Sequence, residues 1–100
     1  MQTRDHKTSW TPFIFDIDPF SEPGEKFNGM NGAICVRKGL EVGDRDGKNV
    51  PVYESAIITH CGQSDLSPAQ VQLMIDGLKL AVDKANELDN KYKPGDEAAL

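Results

Sequence analysis

SPAQVQLMIDGLKLAVDKANELDNKY, residues 67–92, is the stretch that decides the fold. Ser67 is a good N-cap residue, Pro68 suits the first helical position, and Gln70 stands three residues after the cap, where it can bond back to it. Leu66, just before the cap, is placed to pack on Val71 as a hydrophobic staple. Val71, Met74, Leu78, Ala81, Ala85, Leu88 and Tyr92 then recur at steps of three and four, and Ile75 and Val82 widen that stripe. Gln72, Asp76, Lys79, Asp83, Asn86 and Asn90 form a polar face opposite. Pro94-Gly95 closes the pattern, which predicts one amphipathic helix from about Pro68 to Tyr92.

Upstream the period changes from helical to strand-like. Phe13, Phe15 and Ile17 alternate with Ile14 and Asp16 between Pro12 and Pro19, the signature of a half-buried strand. Residues 21–32 are rich in Pro-Gly and Asn-Gly dipeptides and read as a long loop, from which Phe27 and Met30 could make contacts. Ala33 to Lys38 predicts a second strand, with Leu40 and Val42 extending it. Val50 to His60 predicts a third, whose alternation slips at Glu54-Ser55-Ala56 and calls for a bulge or bend there. The polar residues 43–49 between them form a hairpin loop, making the second and third strands antiparallel. The expected fold is α+β: a small antiparallel sheet of about three strands with one long C-terminal helix packed on one face. Residues 10–93 form the domain, and 1–9 and 94–100, which lack apolar periodicity, are flexible tails.

A 100-residue chain with 38% apolar and 27% charged residues supports one globular core. The net charge of −5 lies wholly in residues 39–100, which carry six basic and eleven acidic side chains. With no Lys/Arg cluster to meet phosphates, direct nucleic-acid binding is not expected. No apolar run approaches the length of a membrane span, and Met1 to Ser9 contains no apolar core of a signal peptide. The expectation is a cytoplasmic, soluble protein with Cys35 and Cys61 reduced.

The constellations that carry chemistry are sparse. Asp44-x-Asp46-Gly47 resembles part of a calcium loop, but that register puts Val42 and Tyr53 where ligands belong, so it reads as a hairpin turn. His60 and Cys61, with Cys35 and with His6 in the expected N-terminal tail, lack the paired spacing of a zinc site, and neighbours on a strand point to opposite faces. Asn28-Gly29-Met30-Asn31-Gly32 matches neither phosphate-loop pattern. No metal or cofactor is expected. A small enzyme or ligand binder would have to use Cys61 as nucleophile, His60 as base, and the carboxylates of Asp16 and Asp18, which alternation places on one face.

The helix carries a further feature. Ala69, Leu73, Gly77 and Leu80 form a second stripe, about 130° round from the main one at 100° per residue. Gly77 in a helix interior costs up to about 1 kcal/mol relative to Ala, which suggests close approach of another backbone. The candidates are the chain's own N-terminal segment, through Trp10, Phe13 or Phe20, and another protein chain, including a second copy. Size and acidity without a catalytic constellation fit a protein-interaction module. It would be an adaptor, or an inhibitor of the kind phages and mobile elements encode, with the small enzyme as the rival reading.

Overall fold

Ser67 caps the helix as its sequence requires. Its Oγ accepts the Gln70 N–H at 3.2 Å, and Gln70 Oε1 accepts the Ser67 N–H at 2.9 Å, completing a capping box. Helix α1 spans Pro68–Lys91, with Tyr92 as its C-cap. The computed structural model describes residues 1–29 and 32–99, so the contact expected of Met30 lies outside the described residues.

Among the described residues six strands precede α1: β1 Gln2–His6, β2 Phe13–Asp18, β3 Gly32–Lys38, β4 Leu40–Arg45, β5 Lys48–Tyr53 and β6 Ile57–Gly62. They form two antiparallel sheets, one of four strands in the order β1-β2-β3-β6 and one of β4 and β5. The α+β class and the C-terminal helix are as expected, while the count of three strands is corrected by three departures. The expected second strand ends at Lys38, and its extension is the separate strand β4. The expected third strand divides at Glu54-Ser55-Ala56, where its alternation slips, into β5 and β6. Both breaks let the chain leave the large sheet, build the β4–β5 hairpin, and return to pair β6 with β3. The third departure is β1, which pairs with β2 from Gln2↔Asp18 to His6↔Ile14, where a tail was expected. At the other end, Asp96 and Ala98 bond to the backbone of Tyr53 and Pro51, so residues 95–98 run along β5 instead of leaving it. Neither terminal segment has apolar periodicity, because backbone and polar side-chain bonds hold both in place.

The hairpin turns at Asp46-Gly47, where φ is 56° and 79°. Two left-handed residues match the strand twist in a two-residue loop, which confirms the turn reading of this segment. The hairpin stretches the molecule to 54 Å along one axis and 21 Å across. An aromatic cluster secures its base: Phe13 stacks on Tyr92 with centroids 4.3 Å apart, and Tyr53 lies 5.2 Å from Tyr92. Beside it Lys38, fully buried, donates to the Asp89 carboxylate at 2.7 Å and to the Glu54 carbonyl. The same Asp89 oxygen accepts the Ala56 N–H, tying β3, the start of β6 and α1 together. Burial opposes the Asp89 charge, but the Lys38 and Ala56 bonds outweigh it and hold its pKa below the ordinary value.

α1 docks on the four-stranded sheet along small residues. Gly77, Ala81, Ala85 and Leu88 are its buried positions, packed on Ile17, Ile34 and Val36. A Cβ on Gly77 would stand 2.8 Å from Ile34 Cδ1 and 3.3 Å from Pro19 Cβ, so glycine is needed for this approach. The helix is therefore rotated relative to the stripe read from sequence. Val71, Ile75 and Val82, expected in the core, are 40–48% exposed. No helix among the described residues is long and apolar enough to cross a membrane.

Candidate functional site

Two regions gather chemistry, one on the sheet face that α1 leaves open and one along β6. On the open face, strand alternation and register bring Arg4 and His6 of β1, Asp16 of β2, Cys35 of β3, and Thr59 and Cys61 of β6 together. Asp16 Oδ2 is the centre. It accepts from Arg4 Nε at 2.9 Å and lies 2.8 Å from His6 Nε2. Burial works against the Asp16 charge, but those bonds prevail and its pKa lies below the ordinary value. Arg4 also lies under the Phe27 ring, 4.3 Å from its centroid.

Asp16 and Cys61 lie on one face beside an open concavity of about 520 Å³ whose wall His60 also touches, so two of the four residues of the rival enzyme reading share a face. Asp18 does not join them. It is fully buried and accepts from the backbone N–H groups of Phe20, Ser21 and Asn28 and from the Ser21 hydroxyl. Its task is to fold the 19–28 loop back on itself, a role that Asp18-Pro19 signalled only as a turn. Those donors overcome the cost of burial, so its pKa too lies below the ordinary value. His60 pairs with Ile34, whose side chain meets Gly77, and so belongs to the helix side of β6; Cys61 belongs to the open face.

The cluster suppresses thiol reactivity at Cys35. Burial first, then the hydrogen bond and charge of Asp16, push its pKa up to about 11, leaving almost no thiolate at neutral pH. Asp16 is already engaged by two basic side chains, which leaves it poorly placed as a general base. Among the described residues no three His, Cys, Asp or Glu side chains are grouped to hold a metal ion.

The second region is β6 with the adjacent flank of α1. β6 reads Ile57-Ile58-Thr59-His60-Cys61-Gly62, contains no Lys, Arg, Asp or Glu, and is the last strand of the sheet. Among the described residues no strand pairs with its outer edge. Ile57 is 48% exposed. Leu78 lines a hollow with His60, Cys61 and Gly62 at the end of β6, and a second hollow with Ile75 and Val82. An apolar stripe of Val71, Ile75, Leu78 and Val82 thus flanks the open strand edge. At 100° per residue it is centred about a quarter-turn from the buried seam.

The interaction stripe expected from sequence takes a different place. Gly77 faces the side chains of Ile34 and Ile17 in the chain's own sheet and of Pro19 just past β2, so what closes on it belongs to the fold. Leu80 packs half-buried against the core, while Leu73 and Ala69 remain exposed. Trp10, a suggested cover, is instead exposed. The cause is steric: the sheet settles where side chains are smallest, and this turns Val71, Ile75 and Val82 outwards. The sequence clue was the spacing Gly77, Ala81, Ala85, a small-residue seam at every fourth position.

No protein-family model matches the chain, and no curated protein or solved structure does either. The functional reading therefore stands on the geometry.

Proposed function

We propose that this chain is a protein-interaction module that binds a polypeptide along β6 and the adjoining flank of α1. One observation carries the reading: an uncharged edge strand, unpaired on its outer side among the described residues, lies directly beside an apolar helix stripe. An unpaired strand edge offers a row of N–H and C=O groups, and another strand is the ligand that satisfies such a row. The stripe then supplies the apolar contact that backbone bonds alone do not. An adaptor or a small inhibitor would use such a surface, working in the cytoplasm where Cys35 and Cys61 stay as the free thiols they are here.

The test is affinity capture from the native host with the wild type and with Ile75→Asp/Val82→Asp, after circular dichroism has shown both folded. A species held by the wild type and lost by the double variant is expected; equal recovery by the two would defeat the reading. The second reading, a small-ligand site at Asp16 and Cys61, is favoured by their common concavity. Capture unaffected by the helix changes but abolished by Cys61→Ser would favour it.

A further inference from the structure

We infer that the partner at this surface is a second copy of the chain, joined by β6 beside β6 in antiparallel pairing and α1 beside α1. The two four-stranded sheets then become one sheet of eight strands. This rests on the reading proposed above and names the occupant.

Three features of the surface suit a two-fold partner. The first is the order of the stripe. Val71, Ile75, Leu78 and Val82 are spaced four, three and four residues apart, a sequence that reads the same in both directions. An antiparallel neighbour sets Val71 against Val82 of the second copy and Ile75 against its Leu78. In a two-fold interface each patch must be its own complement, and this stripe meets that condition in position and in chemistry.

The second feature is charge. Near a two-fold axis any charged residue meets its own copy, so a self-pairing strand must be free of charge at its centre. β6 has no carboxylate, ammonium or guanidinium. β1, the other edge, would set Arg4 against Arg4.

The third feature is direction. The stripe points sideways from α1, past β6, at the height of the helix layer. A strand added to β6 extends the sheet below, and a helix carried by that strand stands beside α1. A second copy supplies both at once, because its own β6 and α1 have the same relation. An isolated extended peptide supplies only the strand and leaves Val71 and Val82 in water.

The experiment is sedimentation equilibrium of the full chain from low micromolar to near-millimolar concentration, in low and high salt. Hydrogen exchange is read at the same concentrations. The expected mass is twice the 11.0 kDa chain. Association should tighten with salt, because two bodies of charge −5 repel until screened. Amides in β6 should gain protection as concentration rises. Ile75→Lys/Val82→Lys should weaken association at least a hundredfold with an unchanged circular dichroism spectrum, and Val71→Lys, at the end of the stripe, should do so less. Thr3→Lys on β1 should change nothing.

A wild type that stays at the mass of one chain throughout overturns the second copy, while host capture still decides whether the surface binds another protein. A dimer that survives the double substitution places the interface elsewhere and overturns the second copy at this surface, while host capture again decides the broader reading. A dimer lost in that variant but with no concentration-dependent protection in β6 overturns the eight-stranded sheet.

Discussion

β1 and β6 both stand at an edge of the same sheet, yet they are finished differently. β1 carries Arg4 and Asp5, and it is held from the open face by Arg4 and His6 on Asp16. Those ties are partly exposed; the Arg4 side chain is 57% accessible. β6 carries no charge and is held at its start by the part-buried Lys38–Asp89–Ala56 knot, with its outer edge unpaired among the described residues. Charged edges discourage strand addition, and uncharged ones invite it. One edge is closed by its side chains, while the other is anchored from within so that its rim stays open.

The sharpest way to break this comparison is to delete one carboxylate on each side. Asp89→Ala strips a buried ammonium of its counter-ion. It should cost about 3 kcal/mol, the lower end for a broken buried pair, since the Glu54 carbonyl still accepts from Lys38. Asp16→Ala loses partly exposed ties and should cost about 1 kcal/mol. Urea unfolding of both variants gives the ratio; equal losses would mean that β6 is anchored no better than β1.

Acid should produce a smaller, graded effect. Asp16, Asp18 and Asp89 all have folded pKa values below the ordinary 3.8. Their stabilisation is therefore complete above the unfolded value and lost as pH falls through the lower folded values. Stability from these carboxylates should hold above about pH 5 and decline below about pH 4. A decline already under way at about pH 6 would contradict these directions.

The smallest effect concerns the two thiols, Cys35 inside the sheet on β3 and Cys61 on the β6 edge. Cys61 is exposed on β6, whereas Cys35 is partly buried with its pKa raised to about 11, so alkylation at mildly alkaline pH should modify Cys61 first. Asp16→Asn removes the negative charge that adds to the effect of burial. Cys35 should then react several-fold faster, though still behind Cys61. No acceleration, followed by mass spectrometry, would show that burial alone protects it.

Elements whose signals are local were legible from the residues alone. Ser67, Pro68 and Gln70 set the start of α1, because capping is decided within one turn. Phe13, Phe15 and Ile17 set β2 by alternation, and Asp46-Gly47 set the hairpin turn by its left-handed geometry. The slip at Glu54-Ser55-Ala56 marked the boundary between β5 and β6. Only the tertiary structure decided what depends on distant partners. β1 is a strand because β2 offers it an edge and Asp16 holds its Arg4 and His6; nothing in Gln2 to His6 alternates apolar with polar. Asp16 and Asp18 look equivalent in sequence, yet one centres an ionic cluster and the other folds a loop, because their donors come from different elements. The apolar arc of α1 is wider than one sheet can cover, so hydrophobicity alone could not fix the docking angle. Gly77 fixed it: without a Cβ the helix comes closest to Ile34 there, and that contact turned Val71, Ile75 and Val82 to the surface beside β6.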